Sequence, residues 1–329
     1  MAKYDIYAIG SALVDTEVKV SDKFLQDALI DKGLMTLVDR PRQSDLLRRL
    51  EQCDMVQKSG GSACNSLVAA ASLGAATFFS GRVGDDADGD LYISDLSDLG
   101  VDFSGTRAPN TATGQCLVMV TPDAERTMNT CLGASQGLSD KDIDKCALLQ
   151  SKWLYIEGYL LTDKSRANVI LKAVAFAKAN KIKVALSLSD PFVVATCGEQ
   201  MRTLIGDGID LLFCNKAEAF SFTGEDNIDD AAYAIKLMSE CFAITDGPLG
   251  ALIYDGSDIF WSPGVKNQAV DTNGAGDMFA GVFLYSIVFG YAFDKAAALA
   301  NNCAAKVVTV FGPRLERDQL ISLKQRFNV

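Results

Sequence analysis

The sequence predicts an α/β fold in which helices cover both faces of a central, mostly parallel sheet and a small second β-sheet forms a lid. Three observations support this prediction. Short apolar segments alternate with longer helical ones, a glycine-rich turn runs directly into an apolar helix, and two weakly alternating segments interrupt the rhythm. With 329 residues the chain is long enough to bury a large core.

The predicted elements follow this pattern from the first residues onwards. Tyr4 to Gly10 is a short buried strand that ends in a glycine turn, and Ala63 to Leu73 is an alanine-rich helix closed by Gly74. Further buried strands are predicted at 153–156, 183–187, 210–213 and 241–245. Helices are predicted between them, at 165–180 and 228–239. Apolar strands separated by helices are typical of a parallel sheet.

Two regions depart from this alternation. Residues 11–20 alternate weakly, and 113–119 with 126–131 have the pattern of a hairpin around Thr121-Pro122-Asp123. Half-exposed strands inserted in an α/β body predict a lid, with a peripheral edge hairpin as the alternative. The predicted body comprises 1–10, 41–110 and 135–329, and the predicted lid comprises 11–40 and 111–134.

Composition argues against several classes of protein. The net charge of −11 argues against nucleic acid as a partner, because a phosphate backbone requires a basic surface. No apolar run reaches the roughly 18 residues that span a membrane, and the first residues lack a signal-peptide pattern. Nine cysteines without a Cys-x-x-Cys pair indicate reduced thiols in a cytoplasmic protein.

The chain contains no histidine. This excludes a Ser-His-Asp triad, a histidine-ligated catalytic zinc and an imidazole general base. Any general base must therefore be a carboxylate, cysteine, lysine or tyrosine.

The turn Asp271-Thr272-Asn273-Gly274-Ala275-Gly276-Asp277 precedes the apolar helix. Its glycines allow a sharp turn with uncovered N–H groups, and a helix N-terminus attracts anions. Asp277 places a proton acceptor beside that anion, which suits phosphoryl transfer to a hydroxyl. The alternative is a first-turn charge that only complements the helix dipole. Neither a P-loop nor a Gly-x-Gly-x-x-Gly pattern after the first strand is present.

Two long motifs and several short ones occur in an order typical of one enzyme family. The long motifs are residues 60–74 and 271–277 with its helix; the short ones are 215–218, 245–250 and 311–313. With them the chain resembles the ribokinase/PfkB carbohydrate kinases. Through 10–15, 126–130, 157–162 and 188–192 it is most similar to the adenosine kinases. The resemblance implies a ribokinase-like three-layer αβα body with a β lid.

The resemblance also implies catalytic roles. Asp277 corresponds to the general base, and Gly274, Ala275 and Gly276 correspond to the anion hole. Arg126, on the predicted lid, would neutralise charge on the transferring phosphate, unless it is an exposed, solvated side chain.

Other positions match the substrate site of the family. The residues that bind the ribose hydroxyls in the family correspond to Asp15, Gly60, Gly61 and Asn65. A carboxylate such as Asp15 can accept hydrogen bonds from two hydroxyl groups. The alternatives are a turn residue for Asp15 and an ordinary helix side chain for Asn65.

Tyr159 and Leu160 match residues that flank a nucleobase, with strand-end core residues as the alternative. Ser11 stands where adenosine kinases often have Asn, which leaves one ribose or base contact open.

The nucleotide side is implied in the same way. Asn215 and Glu218 resemble a motif that organises magnesium, through water, and the phosphates; they also fit a helix-capping arrangement, and both can hold together. Further matches to the ATP site are Thr245, Gly247, Gly250 and, near adenine, Asn302. Asp271 and Asn273 match a monovalent-cation site of potassium-stimulated relatives.

The resemblance therefore implies an ATP-dependent nucleoside kinase that uses magnesium and phosphorylates the 5′-hydroxyl of adenosine. The alternatives are a kinase for ribose, fructose, inosine or guanosine, and a non-catalytic nucleoside-binding or regulatory protein of the same fold. A nicotinamide dehydrogenase is more distant, because both its fingerprint and histidine are missing. Adenosine kinases are commonly monomers, so a monomer is expected here, and not the lid-mediated dimer of ribokinases.

Overall fold

A nine-stranded sheet forms the centre of the protein, whose computed structural model describes residues 2–327. The strands are β1 (Tyr4–Ile9), β2 (Leu13–Lys19), β3 (Met35–Leu37), β4 (Met55–Gly60), β5 (Thr77–Ser80), β6 (Arg82–Gly84), β7 (Val101–Phe103), β8 (Thr106–Ala108), β9 (Gly114–Val120), β10 (Arg126–Cys131), β11 (Ser151–Glu157), β12 (Lys183–Ser187), β13 (Ile209–Asn215), β14 (Ser239–Thr245), β15 (Gly250–Tyr254) and β16 (Ile259–Pro263). The helices are α1 (Asp22–Asp27), α2 (Arg40–Arg49), α3 (Ser62–Ser72), α4 (Ala87–Asp98), α5 (Lys145–Leu149), α6 (Lys164–Ala179), α7 (Pro191–Ile205), α8 (Lys216–Thr223), α9 (Ile228–Lys236), α10 (Ala275–Val288), α11 (Phe293–Val307) and α12 (Arg317–Arg326).

The large sheet is mostly parallel. Its order is β16-β15-β14-β13-β12-β11-β1-β5-β7, and only the pairings of β15 with β14 and with β16 are antiparallel. Each parallel connection runs through helices, which cover both faces of the sheet and leave its strands buried. The predicted α/β fold is confirmed.

The alternating side chains of each central strand supply both halves of the core. On β1, Ile6 and Ala8 pack in the cluster under α3, α4, α10 and α11, whereas Tyr7 and Ile9 pack in the cluster under α6 and α7. The period of two along a strand produces this division, and it makes the body a three-layer αβα structure.

A second sheet, ordered β3-β10-β9-β2-β4, lies over one edge of the body. The predicted hairpin is present: β9 and β10 pair in antiparallel fashion, and the tip closes through Thr121 N to Glu125 O at 3.0 Å. Helices α1 and α2 cover the outer face of this lid, where Leu117 and Met119 pack among their side chains. The inner face is turned toward the body.

Two details of the prediction are wrong. Strand β4 belongs to the lid sheet, where it pairs with β2, although the predicted boundaries placed 41–110 in the body. Its residues 55–58 are exposed and mixed in polarity, so their pattern contains no signal for the sheet they join. Helix α9 ends at Lys236, before the predicted Ser239, because Ser239 already begins β14.

Helices α3 and α10 lie unusually close together. A Cβ atom at Gly281, on α10, would lie 2.1 Å from the backbone oxygen of Ser66 on α3. The absence of a side chain at Gly281 therefore sets the spacing of the two helices. The motif 60–74 spans α3 and the motif 271–277 leads into α10, and this contact brings the two motifs together.

None of the helices within residues 2–327 is both long enough and apolar enough to cross a membrane.

We expect Gly281→Ala to lower the free energy of unfolding by about 1–3 kcal/mol, because the added methyl group forces α3 and α10 apart. Urea denaturation followed by circular dichroism measures this change. Gly198→Ala is the matched control: Gly198 lies inside α7, and a Cβ atom there would have no neighbouring atom within 4 Å, so alanine should stabilise the helix by about 0.5–1 kcal/mol. Equal effects of the two substitutions would contradict the assigned role of Gly281.

Candidate active site

A cavity of about 500 Å³ opens between the carboxyl ends of the parallel strands and the lid. Glu157, Ser187, Asn215 and Thr245, the last residues of β11, β12, β13 and β14, line it along one edge of the sheet. Ligands of open α/β sheets bind at this edge, since the loops there are free of the sheet's hydrogen bonding.

The turn before α10 forms one wall of the cavity. Gly274 has φ 74°, and a Cβ atom there would lie 2.5 Å from the backbone of Pro313, so only glycine fits this turn. No side chain caps α10, and Gly274, Ala275 and Gly276 all line the cavity. The uncapped N–H groups at this helix start can therefore bind an anion.

Asp271 holds the shape of the turn from behind. One carboxylate oxygen accepts a hydrogen bond from Asn273 N at 2.8 Å, and the other accepts one from Gly312 N at 2.9 Å. Asp271 is fully buried, so these bonds tie the turn to the segment that follows α11.

Asp277 lies in the first turn of α10 and faces the cavity. Ser62 Oγ donates to one of its oxygens at 2.7 Å, and Asn65 Nδ2 donates to the other at 3.0 Å. Burial raises the pKa of the Asp277 carboxyl, while the two hydrogen bonds act in the opposite direction. Its protonation therefore responds to charge and hydrogen bonding in the cavity.

Asp15 lies on β2 of the lid and lines the same cavity. A Cβ atom at Gly60 would lie 2.0 Å from the Asp15 carboxyl group, and Gly61 has φ 93°. The Gly60-Gly61 pair therefore lets the chain pass close to the carboxyl group and turn into α3. Burial, with a further contribution from the charge of Glu17, raises the pKa of Asp15 to about 8.

The lid side of the cavity is mainly apolar. Its inner face presents Leu13, Met35, Leu37, Cys116, Val118, Met128 and Leu132. Tyr159 lines the cavity from the body, with its hydroxyl 3.3 Å from Ser189 O. Leu160, predicted to flank a base, is instead fully buried in the core beside α6 and α7, because the 3₁₀ turn at Gly158–Thr162 directs it inward.

Asn215 and Glu218 form a reciprocal cap at the start of α8. Glu218 N donates to Asn215 Oδ1 at 2.9 Å, and Asn215 N donates to Glu218 Oε2 at 3.0 Å. Both side chains also line the cavity, and burial raises the pKa of Glu218 to about 7. The capping arrangement is thus compatible with a carboxylate that faces a ligand.

The other predicted ATP positions divide into two groups. Thr245 and Gly247 line the cavity. Gly250 and Asn302 lie outside its lining: Gly250, with φ 117°, begins β15 against Ser262 O, and Asn302 donates to Ala298 O on its own helix.

Arg126 connects the lid to the anion turn. Its Nη1 donates to Asn273 Oδ1 at 3.2 Å, and Asn273 Nδ2 in turn donates to Glu17 Oε1 at 3.1 Å. Burial, together with the nearby charge of Asp271, raises the pKa of Glu17 to about 7. Arg126 lines the cavity, so its charge faces the site and is only partly exposed to solvent.

Three further residues support the site without having been predicted from the sequence. Ser62 donates to Asp277, as described above. Glu157, 1 % exposed, accepts hydrogen bonds from Ser11 N at 2.7 Å and Ala63 N at 2.9 Å, which fixes the start of α3. Arg314 donates to Asn65 Oδ1 at 2.9 Å. Glu157 begins the motif 157–162 and Arg314 directly follows the motif 311–313, but neither has a local sequence pattern that predicts its contacts.

Among residues 2–327, no group of three or more His, Cys, Asp or Glu side chains is arranged to hold a metal ion.

The chain is similar to several known proteins. Adenosine kinase from Schizosaccharomyces pombe is 28% identical over 280 residues, which cover 78% of this chain and 81% of that protein. The crystal structure of adenosine kinase from Sinorhizobium meliloti has a TM-score of 0.93 and 32% identity, covering 99% of this chain and 100% of that chain. A probable sugar kinase from Rhizobium etli CFN 42 has a TM-score of 0.94 and 30% identity, with both chains covered completely. Residues 31–319 match the pfkB family of carbohydrate kinases. The chain belongs to the pfkB carbohydrate kinase family.

Proposed function

We propose that this kinase transfers the γ-phosphate of ATP to the 5′-hydroxyl of adenosine. The observation that carries the proposal is Asp277, hydrogen-bonded and facing the cavity, in the first turn of an uncapped helix. The similarity to adenosine kinases from two organisms supports the choice of substrate.

Each group has a step in the proposed reaction. The 5′-hydroxyl lies at Asp277, which accepts its proton as the hydroxyl oxygen attacks the γ-phosphorus; the bond to the bridging oxygen breaks, and ADP leaves. The N–H groups at 274–276 bind the equatorial oxygens while their charge increases. Arg126 adds positive charge from the lid side.

ATP would bind together with magnesium, which would neutralise charge on the phosphates. Asn215 and Glu218 are the residues that would contact this complex through water. The Glu218 carboxylate accepts hydrogen bonds from Asn215 and retains lone pairs toward the cavity, where both residues lie. This arrangement suits a cation that keeps most of its own water.

The apolar inner face of the lid favours a nucleoside over a bare sugar. A purine buries its flat faces against aliphatic and thioether groups, whereas a free sugar needs polar partners on every side. Asp15, Gly61 and Asn65 supply polar groups for the ribose. Ribose, fructose, inosine and guanosine stay as alternatives, because one relative at 30% identity is named a probable sugar kinase.

A non-catalytic binding protein is the alternative of another class. The intact base, anion turn and Asn215–Glu218 pair oppose it, since nucleoside binding alone requires none of the three.

A monovalent cation beside Asp271 and Asn273 is a further part of the proposal. Asp271 and Glu17 place two buried carboxyl groups near each other, and Asp271 contributes to the raised pKa of Glu17. A potassium ion there would offset this charge.

We also propose that the protein acts as a monomer, which size-exclusion chromatography with light scattering tests directly.

Asp277→Asn should lower kcat at least about a hundredfold, because a positioned general base contributes at least that much. Adenosine binding, measured by calorimetry, should persist. Asp140→Asn, an exposed carboxylate paired with Lys172, serves as the control and should retain full activity. Retention of more than about a tenth of the turnover in Asp277→Asn would rule out Asp277 as the base.

The preferred substrate can be identified from the release of ADP. With MgATP, the kcat/KM for ADP release should be highest with adenosine when it is compared at equal concentrations with inosine, guanosine, ribose and fructose. Preference for a sugar would refute the nucleoside assignment while leaving the kinase intact. No ADP release with any of the five compounds would favour a binding protein.

The stability of the protein should depend on pH through the raised pKa of Glu17. This pKa is about 7 in the folded protein and near 4.5 in the unfolded chain. The protonated Glu17 side chain therefore contributes its full stabilisation below pH 4.5, and this contribution is lost as the pH rises through 7. Between pH 4.5 and 8 without potassium, the free energy of unfolding of the wild type should therefore fall by about 3 kcal/mol relative to Glu17→Gln. Added potassium should reduce this difference.

Urea denaturation across this pH range provides the measurement, and Glu225→Gln, at an exposed position, provides the control with no such trend. Parallel stability curves for the wild type and Glu17→Gln would contradict the prediction. An unchanged difference in potassium would refute the cation site alone.

A further inference from the structure

Arg314 is a buried cation at the centre of a hydrogen-bond network behind the site. Only 7% of its side chain is exposed. Nε donates to Asn65 Oδ1 at 2.9 Å, Nη1 donates to Ser59 Oγ at 3.0 Å, and Nη2 lies 3.3 Å from Cys64 Sγ. Nη1 also lies 3.5 Å from Asp95 Oδ2. The network joins the segment after α11 to α3, α4 and the lid strand β4.

The contact with Asn65 decides which way its amide faces. A guanidinium group can only donate hydrogen bonds, so Arg314 must face the amide oxygen. The Nδ2 group of Asn65 is thereby directed to Asp277, to which it donates at 3.0 Å. A flipped amide would present oxygen to the carboxylate and repel it.

Arg314 also contributes charge to the surroundings of Asp277. Burial raises the pKa of Asp277, whereas Arg126 from β10 and Arg314 counteract this effect. The carboxyl groups whose charges interact with that carboxylate are Asp15 on β2 and Glu157 on β11, and the phenol groups of Tyr155 and Tyr159 interact with it as well. Two cations therefore favour the ionised form of Asp277 against burial and two carboxyl groups.

We propose that Arg314 is a positioning residue, which fixes the amide of Asn65 so that its Nδ2 group donates to the Asp277 carboxyl group, and which adds positive charge on that side of the cavity. The inference rests on the proposed role of Asp277 in phosphoryl transfer. Ser59 on β4 and Asp95 on α4 hold the guanidinium group in place. The function of Arg314 therefore depends on the lid strand β4 as well as on α3.

The test compares Arg314→Met with Arg314→Lys. The first removes both charge and hydrogen bonds, while the second keeps the charge but loses the planar fork that reaches Asn65 and Ser59 together. The pKa of Asp277 is read from the carbon-13 resonance of its carboxyl group, which Asp277→Asn assigns by its disappearance. We also measure kcat across pH with the preferred substrate and thermal stability.

Arg314→Met should raise the pKa of Asp277, move the acid limb of kcat to higher pH and lower kcat at least about tenfold. Arg314→Lys keeps the charge but no longer fixes the Asn65 amide, whose hydrogen bond lowers the pKa of Asp277. It should therefore raise that pKa less than Arg314→Met does and still lower kcat about tenfold. Arg82→Met is the matched control: it removes a half-buried arginine that pairs with Asp142 away from the cavity. It should lower stability without moving the pKa of Asp277.

An unmoved Asp277 pKa in Arg314→Met would overturn the proposal even if stability falls, because the residue would then be only structural. If Arg314→Met does not fold, Arg314→Lys with kcat within twofold of the wild type overturns the proposal. The carboxyl titration does not depend on turnover. It therefore separates failure of this inference from failure of the proposed kinase activity, which the substrate panel decides.

Discussion

The close contact between α3 and α10 is the constraint on which the site depends. Gly281 lets the helices approach at the level of their backbones, and their first turns then bring Ser62 and Asn65 to Asp277 at 2.7 and 3.0 Å. The start of α3 is fixed in turn by Glu157, at the end of β11. The position of Asp277 is therefore set by the sheet, through α3 and then α10. If Asp277 acts as the proposed base, a displacement of about 1 Å along this path costs rate.

Buried carboxyl groups are the second feature of the site. Asp15, Glu17 and Glu218 have pKa values raised to about 8, 7 and 7, mainly by burial. Such groups reduce stability at neutral pH unless cations or hydrogen-bond donors accompany them. Under the proposed function, substrate hydroxyls and a magnesium-bound nucleotide would be partners of this kind, so ligand binding would stabilise these carboxyl groups. In a chain without histidine, they are also the groups that change protonation near neutral pH.

Much of the fold could be predicted from the sequence, because its signals are local. The strands β1, β11 and β12 are short apolar runs, and Gly274 permits the sharp turn before α10, so their structure follows from neighbouring residues. The errors occur where contacts between residues far apart in the sequence determine the structure. Strand β4 is assigned to the lid by its pairing with β2, and Leu160 is buried in the core by its packing against α6 and α7.

The same distinction applies to the site. Asp277 could be proposed because its motif contains both the turn and the acid within seven residues. Arg314 could not, because Asn65 lies 249 positions earlier in the chain and no periodicity connects the two. Ser62 and Glu157 are similar cases. Each lies within a sequence motif, but the residue to which it is hydrogen-bonded belongs to another element.

The division between body and lid also bears on which substrate is accepted. The body supplies the proposed base Asp277, the turn before α10 and the Asn215–Glu218 pair, and its geometry is fixed by helix and sheet packing. The lid supplies alternate residues of β2, β9 and β10, of which Cys116, Val118 and Met128 face the cavity. A strand can change its inward side chains without changing its pairing, because those side chains take no part in the backbone ladder. Chemistry can therefore stay constant while the inner face of the lid changes with the substrate. The apolar character of that face is accordingly the stronger argument for a nucleobase, since the phosphoryl-transfer groups would serve a sugar equally well.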